Sequence, residues 1–150
     1  MEAPAKALEL ARHFEGLYLR TYLDPVGVPT IGYGHCCKAD QPPIDRACAD
    51  QWLVDDMTLA AYAVVRLLPG VGSNFLTELR LAALADFVFN LGALRFQSST
   101  LRRKLLDYDE QGAADELPKW RMGKDPKTGI YKPLPGLVLR RAAEREMFLA

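Results

Sequence analysis

Glu15 and Asp24 are separated by eight residues, and Thr30 follows after five more. Two carboxyl groups and a hydroxyl in one short segment are the parts that cleavage of a glycosidic bond uses. One carboxyl, held protonated, donates to the leaving oxygen; the other, ionised, activates water or stabilises positive charge on the sugar. Glu15 suits the donor role, because an apolar rim and the negative end of a helix both favour a protonated carboxyl. Asp24 suits the ionised role, since it stands at a turn near solvent and backbone donors. Taken locally, the same residues also fit a plainer reading: an acid near a helix end and an aspartate in a turn, as many proteins have.

The elements that must hold these groups are legible around them. Ala5, Leu8, Ala11 and Glu15 recur at helical spacing, and Gly16 offers a stop, so Glu15 belongs to the last turn of an N-terminal helix. Leu19–Leu23 and Val28–Tyr33 read as two strands of a hairpin. Asp24-Pro25-Val26-Gly27 has type I turn preferences, with Gly27 in the left-handed conformation. This register sets Thr30 opposite Tyr22. It also puts Asp24 and Thr30 on one face, as diagonal neighbours about 7–8 Å apart. Gly32 and Gly34 leave that face open to close approach.

The remaining chain reads as helical. Asp45 caps a helix running toward Leu68, Pro69-Gly70 ends it, and Leu76–Leu91 is the most apolar helix. Ser98 or Ser99 caps another through Leu106, and a short helix spans about 109–117. Lys124–Pro135 reads as a loop, and a final helix from near Gly136 carries Arg140, Arg141, Glu144 and Arg145. No internal repeat is visible. The 150 residues fit one domain, 1–150, with a small lobe at about 16–45 and a helical lobe at about 70–150 plus the N-terminal helix.

Formal net charge is zero, so bulk charge gives no reason to expect a nucleic-acid partner. The distribution is uneven. Through Leu94 there are 7 Lys and Arg against 11 Asp and Glu; from Arg95 onward there are 12 against 8. This fits either two solvated faces of opposite bias or a basic cleft wall facing an anionic polymer. No apolar run approaches the roughly 20 residues that span a bilayer, and the N-terminal residues lack a signal-peptide pattern. Stable membrane insertion is therefore not expected. Cys36, Cys37 and Cys48 are odd in number and clustered. Three states are open to them: free thiols, a Cys48 bridge to either neighbour, and a zinc site completed by His35. Free thiols are the default, the cluster is expected not to be catalytic, and neither metal nor cofactor is expected.

The spaced Glu15, Asp24 and Thr30, followed by Ile31-Gly32-Tyr33-Gly34-His35, resemble the active-site segment of phage-type lysozymes, the endolysins of glycoside hydrolase family 24. Glu15-Gly16-Leu17 and Asp24-x-x-Gly27 resemble that family too. Further blocks follow in the family's order: Phe89-Asn90-Leu91-Gly92, Phe96-Gln97-Ser98-Ser99-Thr100-Leu101, Gly112-Ala113-Ala114-Asp115-Glu116, and Pro135-Gly136-Leu137-Val138 through Arg140-Arg141. The resemblance covers nearly the whole chain. It implies an α+β, predominantly α, lysozyme-like fold, with a hairpin-bearing small lobe, a larger helical lobe and a cleft between them.

The implied activity is that of a muramidase, which cuts the β-1,4 bond from N-acetylmuramic acid to N-acetylglucosamine in peptidoglycan glycan strands and inverts the anomeric centre. Glu15 would be the general acid, and Asp24 would place or activate water with Thr30. Asn90 would bond a sugar, or else cap its helix. Tyr33 and Trp120 would stack on sugar rings or belong to the core. Arg140 or Arg141 would pair with Glu15 or line the cleft, although neighbours on a helix point about 100° apart and do not share one role. His35 would assist in the site or bond a carboxylate in the hinge. A monomer made in the host cytoplasm is implied, reaching the wall through a holin-type pore that does not bind it. Use on a phage tail or as a toxin, and an inactive binding module, are the competing readings. Two departures from the family stand out: Cys36-Cys37 directly after the hairpin, and a stretch 124–135 several residues longer than usual.

Overall fold

The computed structural model describes residues 1–150. Helix α1 (Ala5–Glu15) ends where Gly16 adopts φ +71°. Strands β1 (Tyr18–Leu23), β2 (Pro29–Gly32) and β3 (His35–Cys36) then form an antiparallel sheet in sequence order. The turn between β1 and β2 closes as expected: Gly27 N–H donates to the Asp24 carbonyl (2.9 Å), Asp24 N–H donates to the Val28 carbonyl (3.0 Å), and Gly27 has φ +84°. Tyr22 pairs with Thr30, and the register shifts between Tyr18 and Tyr22. The second strand is shorter than its sequence pattern, because Gly32 and Gly34, both at positive φ, bend the chain back into β3. Gly32 lets this sheet lie against the next helix, since a Cβ there would already touch Ala49 at 3.5 Å.

Helices α2 (Arg46–Leu67), α3 (Glu78–Leu91), α4 (Ala93–Gln97), α5 (Thr100–Leu106), α6 (Glu110–Glu116) and α7 (Pro135–Leu149) make up most of the molecule. Capping side chains set several of their starts. Asp45 accepts from Cys48 N–H, Thr77 from Arg80 N–H, Ser99 from Arg102 N–H and Asp109 from Gly112 N–H. Thr77 explains why α3 begins two residues after the expected Leu76. Ser99, not Ser98, caps α5. α3 is the central helix, buried without interruption from Ala82 to Val88, and it packs on α1, α2 and α7. Phe87, Phe96, Leu101 and Phe148 fill the core around it.

The stretch 124–135, expected to be a loop, is most of a second hairpin. Strand β4 (Met122–Lys124) pairs with β5 (Tyr131–Pro133), and its tip is the Asp125–Ile130 segment. Three-residue strands that are largely exposed carry no apolar alternation, so the sequence pattern conceals them. The two-residue strand β3 and the five-residue helix α4 are too short for a periodicity reading. All three cysteines are free, and no group of three or more His, Cys, Asp or Glu is placed to hold a metal ion.

Ion pairs penetrate the core between α3 and α7. Arg140 makes two hydrogen bonds to buried Asp86, both 2.8 Å. Arg141, with no exposed surface, donates to Glu144 at 2.5 Å and stacks over Phe87. Burial pushes the Glu144 carboxyl well above the usual carboxylate range despite the Arg141 charge beside it. The folded chain therefore binds this proton more tightly than the unfolded chain does. Glu144's contribution to stability is fully present below the ordinary carboxyl value of 4.5 and declines as pH rises above it. Glu144→Gln cannot ionise, so the melting temperature of the parent relative to this variant should fall as pH is raised from 4 to 7. Parallel melting curves across that range would contradict the assignment.

Candidate active site

α1 delivers Glu15 to the edge of the first sheet, where its carboxylate faces Gly34. An ideal Cβ on Gly34 would lie 2.8 Å from Glu15 Oε2, and the residue has φ +72°. Both space and backbone conformation therefore call for glycine at this position. From the other side Arg140 Nη1 donates to Glu15 Oε1 at 2.6 Å. The expected apolar rim is thus only partly apolar: Phe14 and Phe89 flank the guanidinium, which is itself the nearest polar group. Burial opposes the Arg140 charge, yet hydrogen bonds and charge from Asp86, with Glu15 adding to them, hold this guanidinium above its ordinary value. It stays a cation. Oε1 accepts from it whether or not Glu15 carries a proton, and Oε2 has no hydrogen bond to protein.

Asp24 is fixed in a similar one-sided way. Its Oδ1 accepts from the backbone N–H groups of Val26 (3.0 Å) and Val28 (2.8 Å). The second oxygen is unengaged. Thr30, buried on β2, donates its hydroxyl proton to the Val28 carbonyl at 2.9 Å. Its oxygen lone pairs remain able to accept from a water molecule.

Glu15, Asp24 and Thr30 line one cavity of about 370 Å³, together with Tyr22, Phe89 and Asn90. A neighbouring depression of about 390 Å³ shares Glu15 and Asn90 and is closed by Pro126, Leu137 and Arg140. A third, of about 820 Å³, shares Tyr22, Asp24 and Pro25 with the first and reaches the tip of the second hairpin. The shared residues join them into one continuous groove. Asn90 Oδ1 is buried there without a partner. Gly92, not Asn90, terminates α3, so Asn90 is not the cap of its helix.

The other expected contacts separate. Arg140 lines the groove but is only 3% exposed, committed to Glu15 and Asp86. Arg141 points into the core, which removes it from any contact with substrate. Tyr33 is likewise corrected from a sugar contact to a core residue, 5% exposed and packed in the main apolar cluster. Trp120 packs edge-on against Phe87 at 5.5 Å and flanks that cluster. His35 Nδ1 contacts Asp56 Oδ2 at 2.6 Å and its ring lies 4.6 Å from Trp52, tying the sheet to α2. Cys36 lies on the cavity wall, while Cys37 faces Thr21.

Two residues with a clear place in the groove escaped sequence reasoning. Tyr18 and Tyr22 pack against each other, ring centroids 4.3 Å apart and planes tilted by 40°, and both line it. Partial burial first, then the charges of Glu15 and Asp24, push the Tyr22 phenol up, so it remains a neutral hydrogen-bond donor. The strand register puts Tyr22 opposite Thr30, and this was the available signal.

Gly34→Ala should leave a folded protein in which Glu15, the flexible partner in the collision, is displaced. Turnover should drop by at least about 100-fold, the scale set by a displacement of about 1 Å in a reacting group. Parent-like turnover in this variant would show that the Glu15 position is not used.

Comparison with known proteins places these features in context. The family model described as phage lysozyme matches residues 12–144. An endolysin of Acyrthosiphon pisum secondary endosymbiont phage 1 is 36% identical over 149 residues, covering 99% of this chain and 98% of the relative. The muramidase domain of SpmX from Asticaccaulis excentricus superimposes with a TM-score of 0.85 at 29% identity, over 99% of this chain and 97% of that one. A mutant P22 lysozyme superimposes with a TM-score of 0.77 at 30% identity, covering 100% and 99% of the two chains.

Proposed function

Because this chain belongs to the phage lysozyme family, we propose that Glu15 is the general acid with which it hydrolyses the β-1,4 bond between N-acetylmuramic acid and N-acetylglucosamine. The protein is an endolysin-type peptidoglycan hydrolase with a lysozyme-like, predominantly α fold. The observation that carries the catalytic reading is the one-sided anchoring of the two acids. Arg140 holds Oε1 of Glu15, two backbone amides hold Oδ1 of Asp24, and the remaining oxygen of each is unengaged beside a shared cavity.

In this mechanism Glu15 Oε2 carries the proton and gives it to the glycosidic oxygen as the bond to the sugar carbon breaks. Asp24 takes a proton from a water molecule as that water attacks the anomeric carbon. Thr30, its own proton committed to Val28, accepts from the same water and orients it. Attack from the face opposite the leaving group inverts the centre. Asn90 accepts a hydrogen bond from a sugar N–H or O–H, and Tyr22 donates one. Neither metal nor cofactor has a part in these steps.

No helix is long and apolar enough to cross a membrane. Synthesis in the host cytoplasm, action as a monomer and release to the wall through a holin-type pore complete the reading, which draws on the relatives named as phage endolysins. Mass analysis of digested peptidoglycan tests the chemistry. Products should end in reducing N-acetylmuramic acid, first released as the α anomer. A 1,6-anhydro product, or a reducing N-acetylglucosamine end, would overturn the proposal.

A further inference from the structure

The groove extends beyond the catalytic cavity into a space of about 820 Å³ between the two hairpins. Tyr18, Tyr22 and Pro25 line it from the first hairpin, and Lys124, Lys127 and Thr128 from the second. The tip of the second hairpin is built to hold its shape. Asp125 N–H donates to the Ile130 carbonyl and Gly129 N–H to the Asp125 carbonyl, both at 2.8 Å. The Asp125 carboxylate accepts from Lys127 N–H at 2.8 Å and pairs with Lys132 Nζ at 2.7 Å. Asp125, the only acid on this hairpin, is thereby occupied. Lys124 and Lys127 are exposed and have no carboxylate partner.

Two unpaired ammonium groups on one groove wall give it a positive charge that an anionic group of a bound polymer can meet. Sugar rings of a glycan strand are neutral. The anions nearest to the cleaved bond are the free carboxylates of the peptide attached to the lactyl group of N-acetylmuramic acid. A strand seated with its scissile bond between Glu15 and Asp24 lies next to this space, because Tyr22, Asp24 and Pro25 border both cavities. Asp24 would repel that peptide, and the lysines opposite offset the repulsion.

Resting on the reading above, we propose that Lys124 and Lys127 are specificity-determining residues that bind the stem-peptide carboxylates, so that the enzyme favours glycan strands carrying free-acid peptides.

Soluble uncrosslinked strands, purified free of secondary wall polymers, provide the test in three forms: with native peptides, with the peptide carboxylates amidated, and stripped of peptide by an amidase. The parent should cut all three. Its kcat/KM should be about fivefold higher on native than on amidated strands, the scale of two exposed ion pairs. That ratio should shrink as salt is raised. In K124Q/K127Q the ratio should fall to about one, with an unchanged melting temperature showing an intact hairpin. An equal ratio in parent and variant, or no preference in the parent, would overturn the proposal. Failure of the parent to cut any of the three would instead overturn the catalytic reading on which it rests.

Discussion

Glu15→Gln should slow the clearing of peptidoglycan suspensions by about three orders of magnitude, within the range that general acid catalysis contributes. The fold should survive the change. Gln retains an oxygen that accepts from Arg140 Nη1 as Glu15 Oε1 does at 2.6 Å. Arg140 also keeps both of its bonds to Asp86. The melting temperature should therefore stay within a few degrees of the parent while turnover is lost. Clearing at a rate comparable with the parent would remove Glu15 from the acid role.

Arg140→Met should have the largest effect on stability. Asp86 is wholly buried on the central helix, and both of its oxygens are satisfied by this one guanidinium. Methionine fills much of the same volume but leaves a carboxylate without a partner in the core. Removing one side of a buried pair costs about 3–5 kcal/mol. For a chain of this length that corresponds to a fall in melting temperature of roughly 10 °C or more. Activity should fall as well, since Glu15 loses the contact that orients it. Arg140→Lys should recover part of the stability but not the paired geometry, because an ammonium group cannot match the planar fork. A melting temperature within 2 °C of the parent for Arg140→Met, read by circular dichroism, would show that the Asp86 carboxylate is satisfied some other way.

The contrast between these two residues shows what the chain makes readable. Glu15, Asp24 and Thr30 lie within one helix end and one hairpin, so spacing and turn chemistry suffice to place them near each other. The Gly16 stop and the Asp24–Gly27 turn obey local backbone preferences, and the structure follows them. Arg140 reaches Glu15 across 125 residues of sequence. Only the packing of α7 on α3 decides that Arg140 turns toward the site while Arg141 turns toward Glu144 and Phe87. The 100° separation of neighbours on a helix foretold that they would part, not which one would face the groove.

Tyr33 illustrates the same limit in a smaller space. Strand alternation makes it a candidate for either face, and the glycines at 32 and 34 turn the chain so that it enters the core. Its counterpart Tyr22 reaches the groove from the partner strand. The second hairpin was hidden for a different reason: its strands are short, polar and exposed, and its form depends on Asp125 holding both Lys132 and the backbone of Lys127. The departures from family pattern have correspondingly different fates. Cys36 stands on the cavity wall as a free thiol, whereas the long stretch 124–135 shapes one side of the groove.

The central claim is that Glu15 protonates the departing oxygen, and a change of leaving group tests it most directly. A synthetic muramoyl glycoside with a dinitrophenolate leaving group needs no proton at that oxygen. Glu15→Gln should hydrolyse this compound at nearly the parent rate while remaining almost inactive on peptidoglycan. An equal loss on both substrates would contradict the account and assign Glu15 to some role other than proton donation.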